Sequence, residues 1–186
     1  MELIYCEKLT QQAHLDGVWR LLRDYDKAFI PPLSNRESTC QKDLHGHAVS
    51  APEGPRSYFE QLQKQSFLLA VEQDEVVGFF SFRQGHLPPP LQQLHSEDTL
   101  PVYITTIIVD QRMRRRGIAR SFYDLLMSLF PEQTMLISTR TWSTNNSHIS
   151  LLEKMGFTGP LRIENDRGPG IDTVYYHFYR KGDSRP

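Results

Sequence analysis

The run Val102-Tyr103-Ile104-Thr105-Thr106-Ile107-Ile108-Val109 restricts the possible folds of this chain more than any other segment. β-Branched and aromatic residues fill it almost without a break, which is the pattern of a central strand covered on both faces. Beyond an arginine-rich turn, Ile118, Phe122, Leu125, Leu126 and Leu129 recur at helical spacing until Pro131 stops them, and Met135 to Ser138 is a compact apolar strand. The centre of the chain therefore reads as strand, helix, strand.

The flanks add further elements. Leu3 to Cys6 suits a first strand, and Leu15, Val18, Trp19 and Leu22 form the stripe of an amphipathic helix. Phe29 to Pro55, with Pro31-Pro32, Gly46 and the pair His45 and His47, reads as loop with one short helix, long enough to suit a binding surface. Tyr58, Phe59 and Leu62 suit a second short helix. Phe67 to Val71 and Val76 to Phe82 are spaced as an antiparallel pair around Gln73-Asp74-Glu75, although that turn lacks Asn-Gly or Asp-Gly. Pro88-Pro89-Pro90 make Gly85 to Thr99 a loop. Asn145 or Asn146 can cap a helix bearing Ile149, Leu152 and Met155, with Gly156 as its left-handed end. Strands at Phe157 to Ile163 and Thr173 to Tyr179 flank the turn Arg167 to Gly170, and Lys181 to Pro186 is expected to fray.

At 186 residues the chain is expected to form one domain, 1–180, with a 181–186 tail. A chain of this size buries roughly 70% of its unfolded surface, enough for a core without disulfide or metal staples. Twenty-one Lys and Arg against 22 Asp and Glu leave no overall field to draw in nucleic acid or an anionic membrane, so any basic site is local. Cys6 and Cys40 make no disulfide scaffold or metal-ligand spacing, and no segment is apolar enough for a secretion signal or membrane span. A cytoplasmic location is the expectation.

Chemistry concentrates in Val109-Asp110-Gln111-Arg112-Met113-Arg114-Arg115-Arg116-Gly117-Ile118-Ala119, where a buried strand runs into a helix N-terminus. The first helical turn offers free amides and about half a positive charge, so backbone alone can hold an anion. Arg112, Arg114, Arg115, Arg116 and Arg120 around the same turn point to a polyphosphate. Neither G-x-G-x-x-G nor G-x-x-x-x-G-K-[ST] occurs, which sets aside dinucleotide folds and P-loops.

These residues resemble the GNAT acyltransferase superfamily. Arg114-x-x-Gly117-x-Ala119 is similar to its [RQ]-x-x-G-x-[GA] acyl-CoA motif. Asn145-x-x-His148-x-x-Leu151-Leu152-Glu153-Lys154-Met155-Gly156-Phe157 is similar to N-x-x-[AS]-x-x-L-x-E-K-x-G-F, with His148 in the small-residue slot. The resemblance implies an α+β fold, a mixed, mostly antiparallel sheet of about seven strands flanked by helices and splayed between strands 4 and 5. It implies acetyl-CoA as co-substrate and no metal. Val109 would offer backbone groups to the pantetheine arm. Arg114, Arg115, Arg116, Gly117, Ile118 and Ala119 would wrap the pyrophosphate, and Asn145 would hold the pantetheine from the far side.

Two departures bear on catalysis. Many members carry an acidic general base six positions before the Val109 equivalent, where this chain has Tyr103, and a tyrosine that protonates the leaving thiolate is replaced by Leu152. A lysine-like amine near pKa 10.4 costs roughly 4.6 kcal/mol to deprotonate at pH 7, an α-amine near 7.8 only about 1. The acceptor is then a weakly basic amine, or waters relay the proton, or a base comes from His95, Glu97 or Asp98. Tyr103, Glu97 and Tyr175 are the catalytic candidates, with Tyr176 and Ser150 as further acids, His148 as a surface or satisfied residue and Trp142 as a packing or pocket residue.

The expected activity is transfer of an acyl group, acetyl first, from CoA to an amine of a small molecule or peptide by direct attack, in a monomer or homodimer. A rival reading is an acyl-CoA-binding sensor that has lost turnover. A third, a nucleic-acid patch, is disfavoured by the near-neutral charge and the lack of stacking aromatics among the arginines.

Overall fold

The computed structural model describes residues 1–41, 44 and 53–182; His45, Gly46, His47 and the tail from residue 183 lie outside the described residues. β1 (Glu2–Cys6) leads into α1 (Gln12–Asp24), and α2 (Arg56–Leu62) precedes β2 (Ser66–Glu72) and β3 (Glu75–Gln84). Then follow β4 (Leu100–Val109), α3 (Ile118–Ser128), β5 (Met135–Trp142), α4 (Asn146–Lys154), β6 (Thr158–Ile163) and β7 (Thr173–Arg180). The seven strands form one sheet in the order β1-β2-β3-β4-β5-β7-β6. β4 and β5 are parallel, whereas β1–β2, β2–β3, β5–β7 and β6–β7 are antiparallel. This is the mixed, mostly antiparallel sheet the sequence predicts. The β4–β5 register runs from Leu100↔Met135 to Ile104↔Thr139, although β4 continues to Val109 and β5 to Trp142. The ladder thus stops five residues into each strand, short of both ends, where the resemblance implies the splay.

The chain divides into two compact units, Met1–Phe82 with Thr105–Phe122, and Arg83–Ile104 with Tyr123–Pro186. In the first, α1 buries Val18, Leu21 and Leu22 and α2 buries Tyr58, Phe59 and Leu62 against Phe67, Leu69, Phe79 and Ile108. Each such apolar side chain stabilises the fold by about 1.5–3 kcal/mol relative to exposure. The helix stripe read from Val18 and Leu22 is the face buried here. Gly17 permits the approach, because a Cβ there would stand 2.6 Å from the Val76 Cβ. The β2–β3 turn is two residues, Gln73 and Asp74, with φ of 51° and 62°. A type I′ two-residue hairpin needs both central residues left-handed, and sheet pairing on either side enforces that without Asn-Gly.

In the second unit, Leu87, Leu91, Leu136 and Tyr175 form a core with Leu94, Leu161 and Ile163 packed against it. The segment read as loop contains a 3₁₀ helix, Pro89–Leu94, because proline sets the φ that a first helical turn requires. β5 outruns its apolar part: Thr139 to Trp142 pair with Tyr176 to Thr173, so Trp142 ends the strand rather than following it.

Candidate functional site

β4 ends where Asp110 turns the chain. Its carboxylate accepts from the Arg112 amide at 3.0 Å, and a 3₁₀ turn, Gln111–Met113, follows. The Asp110 amide donates to the Val77 carbonyl at 2.9 Å, keeping the strand end on β3. The chain then enters α3 through two left-handed residues, Arg115 (φ 63°) and Gly117 (φ 78°). The Gly117 carbonyl accepts from the Ser121 amide at 2.9 Å, the first rung of the helix. The amides of Ile118 and Ala119 therefore precede the ladder and have no acceptor within it. A Cβ built on Gly117 would meet no heavy atom within 4 Å. Open space, unpaired helix-end amides and the dipole of α3 together form a cradle that fits a diphosphate.

The arginines of this turn divide by role. Arg112 is fastened to Asp110, donating from Nε at 3.1 Å and from Nη2 at 2.8 Å, and also bridges to Glu75 at 3.0 Å. Arg20, from α1, reaches Asp110 at 3.4 Å and Glu75 at 2.9 Å and donates to the Val76 carbonyl at 2.8 Å. The Arg112 hydrogen bonds hold the buried Asp110 carboxyl well below the usual carboxylate range. Arg112, although exposed, is thus engaged by the protein's own carboxylates, where the sequence reading groups it with the phosphate. Arg114 lies over the Tyr25 ring at 5.2 Å and donates from Nε to the Val109 carbonyl at 3.2 Å. Arg115 and Arg116 are exposed, Arg116 being 3.9 Å from Glu72. An open cleft of about 560 Å³ beside the turn is lined by Arg20, Asp24, Tyr25, Asp110, Gln111 and Arg112. Sequence reading did not pick out Arg20, Tyr25 or Asp110 as supports. The signal was the unneutralised Asp110 inside a basic run; its partner stands 90 residues away.

The second unit holds the remaining candidates. Tyr103 is 2% exposed, with the His86 ring 5.4 Å from its own, and stands opposite Ser138. Tyr175 stands opposite Arg140, whose Nη1 lies 3.4 Å from its phenol, so the two tyrosines occupy different rows. Glu97 is exposed on the segment before β4. Asn145 precedes α4 but does not cap it through its side chain: Nδ2 donates to Thr141 Oγ1 at 2.9 Å and Oδ1 accepts from Ser147 at 3.3 Å. Leu152 is fully buried.

His148 is bonded through Nε2 to the buried Tyr123 hydroxyl at 2.8 Å. Burial lowers its pKa from 6.5 to about 4, and burial pushes the Tyr123 phenol up. The unfolded chain therefore takes up this proton first as pH falls. As pH falls from 6.5 towards about 4, this group should lower stability, by at most about 1.4 kcal/mol per pH unit. Urea unfolding across that range measures it, and His148→Gln should flatten the decline.

Among the described residues no three His, Cys, Asp or Glu side chains are grouped to hold a metal ion, and no helix is long and apolar enough to cross a membrane.

Residues 28–157 match the model of the acetyltransferase (GNAT) family, and the chain belongs to that family. No curated protein sequence matches the chain. Among solved structures, it is similar to Arabidopsis thaliana NAA60 in complex with acetyl-CoA, with a TM-score of 0.65 at 15% identity over 96% of this chain and 98% of that one. The same protein with a bisubstrate analogue gives 0.63 at 15% identity, over 98% and 100%. A ribosomal-protein-alanine N-acetyltransferase from Brucella melitensis gives 0.58 at 15% identity, over 95% and 99%. Likeness at this identity is a likeness of fold.

Proposed function

We propose that the protein transfers acetyl from acetyl-CoA to an amine of a small molecule or peptide by direct attack. The observation that carries this reading is the cradle at the start of α3, where the left-handed Gly117 opens space in front of the Ile118 and Ala119 amides. In it, the Gly117, Ile118 and Ala119 backbone with exposed Arg115 and Arg116 would hold the pyrophosphate. Arg114, stacked on Tyr25 and bonded to the Val109 carbonyl, would fix the turn from the side, and Val109 would offer its backbone to the pantetheine arm. Asn145, its amide already oriented by Thr141, would present the same side chain to the pantetheine. Tyr103, Glu97 and Tyr175 are the proposed proton-transfer groups. Membership of an acetyltransferase family supports the donor, and relatives solved with acetyl-CoA or a bisubstrate analogue support the ternary geometry.

One observation favours a second reading. Leu152 fills the slot of the thiolate acid and is fully buried, while Tyr103, in the slot of the base, is 2% exposed. A domain that binds acyl-CoA without turning it over would look the same. Thiol release from acetyl-CoA, followed with a panel of α-amines, lysine-like amines and peptides, separates the two. Release with at least one amine class, together with thermal protection by CoA, is expected. Protection without release across the panel selects the binding module, and neither effect removes both readings.

A further inference from the structure

The first unit holds a chain of polar side chains that neither the cradle nor the ion pairs of its turn use. Ser81 of β3 and Thr105 of β4 bring their hydroxyls together at 2.8 Å. The Thr105 hydroxyl donates to Gln65 Oε1 at 2.6 Å, and Gln65 Nε2 donates to Thr39 Oγ1 at 2.7 Å. Thr106, the next residue of β4, is bonded to the buried Tyr58 phenol at 2.8 Å. Consecutive side chains of a regular strand leave by opposite faces, yet Thr105 and Thr106 are both bonded to α2 or to the link that follows it. The chain joins Thr39, in the segment read as suiting a binding surface, to the central strand.

The direction of these bonds fixes what the chain has left to offer. Thr105 has one hydroxyl hydrogen, which goes to Gln65, so the Ser81 hydroxyl donates to the Thr105 oxygen. A hydroxyl oxygen has two lone pairs, and one of them remains. Bonds in a chain polarise one another, so an oxygen whose hydrogen is given to a carboxamide is the stronger acceptor. Of the four members, Ser81 is 0% exposed and Thr39 and Gln65 are each 5% exposed, whereas Thr105 is half-buried. Thr105 is therefore the point at which this uncharged chain meets the outside, and what it presents there is an acceptor.

We infer that the Thr105 hydroxyl oxygen accepts a hydrogen bond from the amine of the acceptor, which makes Thr105 a substrate contact and Gln65 and Thr39 its positioning residues. The inference rests on the acetyltransferase reading and adds to it the group that holds the nucleophile. The attacking nitrogen must be a neutral amine, with a lone pair to give and N–H bonds to spare. A neutral acceptor suits that form: one N–H turns to Thr105, and the lone pair is left for the carbonyl carbon. The contact also selects by chemistry. An ammonium gains most from a carboxylate, and this chain has none. An α-amine of pKa about 7.8 is partly neutral at pH 7, whereas a lysine-like amine of about 10.4 is almost wholly charged.

Buried neighbours hold the hydroxyl in place. The Gln65 amide donates to the Leu62 carbonyl at 3.0 Å, so the residue is tied to the end of α2 by its backbone and to β4 and Thr39 by its side chain. Tyr58, Phe59 and Leu62 of α2 lie in the core of this unit, which keeps the Tyr58 bond to Thr106 and the adjoining stretch of β4 fixed. The Ser81 carbonyl stands 3.2 Å from Thr105 Oγ1 on the other side. A group ordered in advance loses little freedom when its partner arrives.

The test uses the full chain with acetyl-CoA and three amine probes: glycinamide, Nα-acetyl-lysine amide and trialanine. With the probe the wild type uses best, Thr105→Val and Thr105→Ala should each raise KM for the amine about 5–10-fold, the loss of one neutral hydrogen bond. The kcat should stay near the wild-type value, the mark of lost binding rather than lost chemistry, and thermal protection by CoA should be unchanged. Thr105→Ser keeps the hydroxyl and should keep the wild-type KM. Thr106→Val is the control: it strips the buried Tyr58 phenol of its partner, so it should lower the melting temperature and leave KM alone, as a merely structural change does. Wild-type KM in Thr105→Val and Thr105→Ala, with CoA protection intact, overturns the contact and leaves the acetyltransferase reading standing. An equal rise in Thr106→Val, or no rescue in Thr105→Ser, overturns it as well. Absence of transfer from the wild type to any of the three probes sinks the underlying reading instead.

Discussion

Gly117→Glu should reduce acetyl-CoA affinity by on the order of 100-fold or more, equivalent to about 2.7 kcal/mol, while leaving the protein folded. The residue has φ 78°, so any L side chain there is strained, at about 1–2 kcal/mol. That cost falls on stability. Protein crowding adds nothing, since a Cβ at this point meets no neighbour within 4 Å. Any larger loss seen in binding must therefore come from what occupies that open space. A glutamate carboxylate would stand in front of the Ile118 and Ala119 amides, competing for them and repelling a diphosphate by several kcal/mol at close range. Gly117→Asn separates the terms, because asparagine tolerates the left-handed region but carries no charge. Isothermal calorimetry with acetyl-CoA decides the matter, and wild-type affinity in the glutamate variant would falsify the cradle.

The second large effect is expected at Asp110. Asp110→Asn keeps the shape of the side chain but removes the charge that Arg112 and Arg20 share. Breaking one partner of a buried pair costs several kcal/mol when both are enclosed; here the arginines are partly solvated, so about 2 kcal/mol is expected. Because the Arg112 hydrogen bonds depress the Asp110 pKa, its contribution is fully present above the ordinary aspartate value of about 3.9 and is lost as pH falls towards the lower folded value. The variant should accordingly show a shallower loss of stability in acid than the wild type. Acetyl-CoA affinity should fall about 5–10-fold as the turn loosens, one order of magnitude at most. Denaturant melts from pH 7 down to pH 2 and a binding isotherm at pH 7 check both parts. Equal stability at pH 7 would remove Asp110 as the anchor of the turn.

What could be read in the sequence follows from how local each signal is. β4 and the entry to α3 are legible because an apolar run, an arginine cluster and one glycine lie within 20 consecutive residues, and each has a direct backbone meaning. The β2–β3 hairpin is legible from spacing alone, since Gln73 and Asp74 carry none of the usual turn chemistry. β5 was read short because Thr139 to Trp142 are mostly polar; their strand character comes from pairing with β7, which no local pattern records. The same holds for the site. The cradle lies in one continuous segment, whereas the Asp110 clamp needs Arg20 from α1, and the bonded chain through Thr39, Gln65 and Thr105 exists only once α2, β3 and β4 are packed together. Asn145 was located correctly at the start of α4, yet its side chain turns back to Thr141 instead of capping the helix.

Arg115 gives the turn a further property. A non-glycine residue in the left-handed region is held there only by firm surroundings, here the Asp110 clamp on one side and the first rung of α3 on the other. The proposed anion-receiving shape would thus be fixed as the chain folds, with no loop needing to close on its ligand. Capture of the nucleotide end would then proceed at the pace of diffusion and orientation, leaving the slower motions of the catalytic cycle to the acceptor and to departure of the products.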